Sequence, residues 1–219
     1  MTSAHILYIP TIFLLGLIVG SLIRSQNQSP VTNDEKQSSK SGMRVSGRVL
    51  LSSFLVFVLI FIGTHFFEIP RSSKAVVKAL NGQEIFDKKP SFSQEEVYAR
   101  ISNFPGNGIQ LYKQFTYTID ILFPLTFFSF LFLLALYAKE SSVTNSNFKL
   151  LLLLFPFLWF ISDMIENASI FHLLSILPRE NIQLAGILGY ITVAKFLLLL
   201  FSILAPAMAI VASSLRNKV

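Results

Sequence analysis

The sequence predicts an all-α, polytopic membrane protein: a four-helix transmembrane bundle preceded by one N-terminal transmembrane anchor. Three observations lead there. First, of 219 residues 53% are hydrophobic and only 14% charged, with 22 Phe, more apolar surface than a soluble domain of this length can hide. Second, five runs, roughly 5–23, 49–67, 115–137, 149–171 and 183–212, reach the length of about 20 mostly apolar residues that a bilayer-spanning helix needs. Third, these runs are uninterrupted, whereas the strands of a membrane barrel alternate between apolar and polar residues.

The first run, "HILYIPTIFLLGLIVGSLI", has no Lys or Arg before it and is followed by Arg24. A secretory signal carries its positive charge ahead of the apolar core, so residues 1–24 are read as a retained anchor with its N-terminus outside. Gly16 and Gly20 in this run make a Gly-x-x-x-Gly pair, which lets two helix backbones approach closely and points to a homodimer contact. Residues 25–48 are rich in Ser, Gln and Asn. Together with Arg24, the cations Lys36, Lys40, Arg44 and Arg48 make this stretch a flexible basic linker on the cytoplasmic side, in reach of anionic headgroups.

The bundle then covers 49–215. Alternation places the 68–114 connection outside and the 139–148 connection and the C-terminal Arg216 and Lys218 inside. The outside connection holds seven Lys or Arg and five acids, which is compatible because long loops cross a membrane regardless of charge. The net charge of +6 is dispersed along the chain, so no nucleic-acid partner is expected; membrane lipids are. The chain has no Cys, which excludes disulfides and thiolate chemistry.

Within the bundle, polar residues gather toward one membrane side. At about 1.5 Å rise per residue, Asp120 lies about 8 Å from the start of its helix, Asp163 and Glu166 about 8–12 Å from the end of theirs, and Lys195 about 18 Å into the last helix. They also share faces. Trp159, Asp163, Glu166, Asn167 and Ile170 form one stripe by i, i+3, i+4 spacing; Tyr117, Asp120 and Pro124 form a second, and Thr192, Lys195 and Ser202 a third. One polar stripe per apolar helix is what helices around a common interior require. His172 falls off the stripe, on the opposite side of its helix from Asp163, while His65 and His5 are read as interfacial. Gly186 and Gly189 are read as easing the packing of the last helix within the bundle.

Tyr117, Asp120, Asp163, Glu166, Asn167 and Lys195 are therefore the candidate ligand-binding residues, and Asp120, Asp163, Glu166 and Lys195 the candidates for any catalysis. No tight metal spacing such as His-Glu-x-x-His occurs, so no metal is expected. Nor does a Gly-x-Ser-x-Gly, P-loop or dinucleotide fingerprint, so no cofactor is expected. In the 68–114 connection, Ser93 followed by Glu96 has capping-box spacing and predicts a helix over about 94–103. Val97, Ile101 and Phe104 would face the membrane, and "PGNG" would end the helix.

The segments "SQEEVY", Tyr112, "YTIDILFPLTFF", "ISDMIENASI" and "VAKFLLLL" together resemble a group of small bacterial four-helix integral membrane proteins of uncharacterised function. In that group a Tyr-x-x-Asp...Pro segment, an Asp-x-x-Glu-Asn segment and a last-helix Lys recur in this order. The resemblance spans roughly 49–212. It implies the bundle fold and a place in the bacterial inner membrane, and no activity. The segment after Pro124 lacks a Tyr, so no aromatic hydroxyl is implied there. "HILYIP...LGLIVGSLIR" resembles a separate bacterial anchor module followed by a basic tail, which implies two modules joined by the linker.

Lacking a catalytic signature, the chain is read as a non-enzymatic module that binds a lipid or small amphiphile or assembles with partner proteins. The alternative is a small membrane enzyme or proton-coupled carrier that uses the intramembrane carboxylates.

Overall fold

The computed structural model describes residues 45–141 and 146–216; the N-terminal anchor, with Gly16 and Gly20, lies outside the described residues. Among the described residues all regular structure is helical: α1 Gly47–Phe66, α2 Ser73–Ala79, α3 Gln94–Ser102, α4 Gly106–Thr116, α5 Ile119–Ser141, α6 Ser146–Ser175 and α7 Ile182–Arg216. Four stretches are long and apolar enough to cross a membrane: α1, α4 running into α5, α6, and α7. Their exposed side chains, including Leu59, Leu150, Phe157, Ile187, Leu197 and Val211, give the bundle the apolar outer surface that lipid requires. Helix α1 starts at Gly47, inside the stretch assigned to the linker, where Ser46 caps it by accepting from the Val49 amide.

Helix α5 is the hub, packing against α1, α6 and α7. Its contact with α1 is aromatic. Phe57 stacks on Phe127 with ring centroids 4.2 Å apart, Phe54 meets Phe130 at 5.2 Å, and Phe61 meets Phe123 at 5.6 Å. In lipid, where burying apolar area drives no helix association, van der Waals packing of this kind holds helices together, and each aromatic pair contributes about 0.5–1.5 kcal/mol. The other three membrane helices enclose the polar residues, so α1 flanks the site without lining it.

The 68–114 connection folds into a small domain over one end of the bundle. Ser93 caps α3, accepting from the Glu96 amide, as the capping-box spacing predicts, while Glu96 Oε2 accepts from the Phe92 amide at 3.0 Å, one residue before the N-cap amide. Val97, Ile101 and Phe104 do not face the membrane. They are buried against Leu80, Phe86 and Tyr112 and against Ile170 and Leu173 of α6, because the connection supplies enough apolar residues for a core of its own. "PGNG" ends α3 and also opens α4, a helix within the connection that the sequence does not announce.

Gly108 on α4 explains why a poor helix former stands there. A Cβ at this position would lie 2.5 Å from the Ala79 carbonyl oxygen and 2.9 Å from Leu80 Cδ2, whereas one at Gly106 would meet nothing within 4 Å. Gly108→Ala is therefore expected to destabilise the protein by about 1–3 kcal/mol while Gly106→Ala is nearly neutral. Unfolding of the two variants in mixed detergent micelles checks this; equal effects would contradict the close α2–α4 packing.

Candidate functional site

The site is built around Lys195, whose side chain is 5% exposed thirteen residues into α7. Helical side chains lean toward the N-terminus of their own helix, so the long stem carries the ammonium up toward the capped end of the bundle. There it meets Asp163 Oδ1 at 3.2 Å, Glu166 Oε2 in close contact, and Asp87 Oδ2 at 3.3 Å. An ammonium has three protons to donate, and three carboxylates surround it. Asp120, also buried, stands within electrostatic reach of Asp87, Asp163, Glu166 and Lys195.

Asp163, Glu166 and Asn167 are brought together by their spacing on α6, and all are buried. Glu166, 0% exposed, also accepts a hydrogen bond from Thr192 Oγ1, one turn before Lys195 on α7. Asn167 Nδ2 donates to Asp163 Oδ2 at 3.4 Å and to the main-chain carbonyl of Asp120 at 3.2 Å. The second bond follows from the sequence of α5. Pro124 has no amide proton, so the carbonyl four residues earlier, that of Asp120, loses its helical donor. Neighbouring helices must satisfy such freed groups in a membrane protein, and Asn167 does so here. The Asp-Pro pair on α5 and the Glu-Asn pair on α6 are thus two halves of one contact.

Of the residues proposed from sequence, the structure gathers Asp120, Asp163, Glu166, Asn167 and Lys195. Tyr117 stands apart: it lies at the junction of α4 and α5, is 52% exposed, and packs edge-on against Phe171 at 5.7 Å. The helical spacing that placed it beside Asp120 does not apply, because α5 begins only at Ile119. His172 is exposed and off the stripe, as expected. His65 is turned back on its own helix, within hydrogen-bond distance of Thr64 Oγ1 at 2.9 Å and the Phe61 carbonyl at 3.2 Å. Among the described residues, no three His, Cys, Asp or Glu side chains come together as a metal site.

Asp87 is the member of the cluster that sequence spacing does not point to. It lies in the charged stretch "QEIFDKKP", which has no helical or strand period to indicate which way a side chain points. The available signal was local: Ile85 and Phe86, two apolar residues amid charges, mark a segment held against a core. Arg100 on α3 shapes this segment, donating to the Glu84 carbonyl at 2.6 Å, to Ser91 Oγ at 2.8 Å and to the Lys89 carbonyl, while its guanidinium lies 4.3 Å from the Phe86 ring centroid. Partial burial lowers the Arg100 guanidinium from its ordinary value. The Phe86 amide donates to the buried Tyr112 hydroxyl at 2.8 Å.

The far end of the loop rests on Gly189, whose amide donates to the Ser91 carbonyl at 3.0 Å. A Cβ at Gly189 would collide with that oxygen, whereas one at Gly186 would meet nothing within 4 Å. Gly189 thus admits the loop, and neither glycine serves the helix packing expected of it. Comparisons with protein-family models, with curated proteins and with solved structures find no match to this chain.

Two outcomes are expected. Asn167→Leu should cost about 1–3 kcal/mol by leaving buried groups unpaired; in a Pro124→Ala background, where the Asp120 carbonyl regains a helical donor, the cost should fall by about 1 kcal/mol. Unfolding of the four proteins of this cycle measures the coupling, and strict additivity would contradict the contact. Arg100→Met should raise amide hydrogen exchange over residues 84–92 roughly 10-fold, with exchange in α6 unchanged.

Proposed function

We propose that this chain is a non-enzymatic module of the bacterial inner membrane that binds a lipid or small amphiphile at the polar site between α5, α6, α7 and the Asp87 loop. The observation that carries this reading is a buried cluster in which Asp87, Asp163 and Glu166 hold the Lys195 ammonium, with Asp120 joined to it through Asn167. Placing an ionised group at depth costs about 2.5–3.5 kcal/mol on insertion scales. Fixing helix register needs far less, since an interhelical polar contact in a membrane contributes about 0.6 kcal/mol on average. Polar groups concentrated in this way within membrane helices mark ligand or ion sites.

The orientation that fits has the N-terminus and the 68–114 domain outside and the linker inside, on the strength of Arg24, Lys36, Lys40, Arg44 and Arg48. A site on the outer half of the bilayer, covered by a loop, suits capture of an amphiphile from the outer leaflet. A proton-coupled carrier or small enzyme is the second reading, favoured by Asp163 and Glu166 sharing one ammonium with Asp87.

Native mass spectrometry of the full chain, released from its membrane in a mild detergent, tests the first reading. The expected result is a retained lipid or amphiphile adduct that is depleted at least fivefold in Asp163→Asn, with the variant still folded. An adduct indifferent to the substitution, or none in either protein, would overturn it. Loss of a cellular phenotype in Glu166→Gln at undiminished stability would favour the second.

A further inference from the structure

The unpaired polar atoms of the cluster are of one kind. Among the described residues, Asp87 Oδ1, Asp120 Oδ2 and Asn167 Oδ1 are buried and have no hydrogen-bond donor from the protein. Asp120 and Asn167 are only 8% and 4% exposed, and the three residues are contiguous through Lys195, Asp163 and the Asn167–Asp120 bond. All three are oxygens, which accept hydrogen bonds when the two carboxyls are ionised. The site therefore calls for a group that brings donors and positive charge.

Three acceptors in an acid-rich setting match a primary ammonium, which offers three N–H donors. A quaternary ammonium brings the charge without the donors, and a hydroxyl brings one donor without the charge. A bare metal ion is disfavoured by the lack of a metal-spaced triad among the described residues. The Phe196 ring, 50% exposed on the outer surface of α7, has its centroid 5.3 Å from Lys195 Nζ, so apolar surface lies close to the polar cluster. A headgroup bound in the cluster can leave its chain on that surface.

We infer that the cluster takes the primary ammonium headgroup of an amphiphile, held by Asp120, Asn167 and Asp87. This rests on the amphiphile-binding reading above and names the headgroup. Asp120 and Asn167 are the specificity-determining pair, because they are the more deeply buried residues, at 8% and 4% exposure, whereas the Asp87 side chain is 20% exposed.

The chain contains one Trp, Trp159, one turn from Asp163 on the site-facing stripe of α6, and its fluorescence reports on the cluster directly. Full-length protein in a nonionic detergent is titrated at neutral pH with dodecylamine, dodecyltrimethylammonium, dodecanol and dodecanoate. The expected result is saturable binding of dodecylamine at least 10-fold tighter than that of dodecyltrimethylammonium, weakened 10-fold or more by Asp120→Asn and by Asn167→Leu. If one variant does not fold, the other decides. Equal affinities for the two cations, or binding unchanged in the folded variants, would overturn the inference. Binding of dodecanol or dodecanoate that depends on Asp120, without binding of dodecylamine, would overturn the headgroup and leave the amphiphile reading standing. No saturable binding of any of the four would overturn both.

Discussion

Everything at the capped end of this molecule depends on one constraint: the Lys195 ammonium is buried among apolar helices and must be compensated there. Two of its counter-charges, Asp163 and Glu166, come from the facing helix α6. The third, Asp87, comes from a loop that must reach down to it. Removing a single partner of a buried ion pair costs about 3–5 kcal/mol, far more than the pair contributes net. The cluster is thus less a source of stability than a requirement that α6, α7 and the loop be present together.

The local peculiarities of the chain follow from that requirement. For Asp87 to reach Lys195, the loop must lie against α7, and Gly189 gives it room. For the loop to hold its shape without regular structure, its carbonyls need donors, and Arg100 supplies them from α3. For Asp120 to stand near the cluster on a helix that loses one hydrogen bond at Pro124, its freed carbonyl needs a donor, and Asn167 supplies it from α6. Each device joins an element of the covering domain to the bundle or one helix to the next. The same arrangement leaves carboxyls in excess of the ammonium and acceptors in excess of donors, and the proposed ligand chemistry rests on that imbalance.

Much of this was legible in the sequence. Four of the five apolar runs coincide with helices long and apolar enough to cross a membrane, because length and composition suffice for that, and i, i+3, i+4 spacing put Asp163, Glu166 and Asn167 on the same face as each other and Thr192 on that of Lys195. Ser93 and Glu96 marked the start of α3. Tyr117 was misplaced because helical spacing was carried across the break between α4 and α5. Val97, Ile101 and Phe104 were assigned to the membrane because an amphipathic face says that it is buried without saying against what. Asp87 and Arg100 escaped notice because an irregular loop has no period, and two residues far apart in the chain carry no sign that they serve one site.

The most direct test is a thermodynamic cycle on the contact between loop and bundle, made with Asp87→Asn, Lys195→Met and the double variant, and read by amide hydrogen exchange at Phe86–Phe92. If the loop is closed by the Asp87–Lys195 pair, each single substitution speeds exchange there and the double variant exchanges no faster than the faster single, a coupling of about 1 kcal/mol or more. Additive effects in the double variant, or exchange in the loop unmoved by Asp87→Asn, would contradict the pairing on which the site is built.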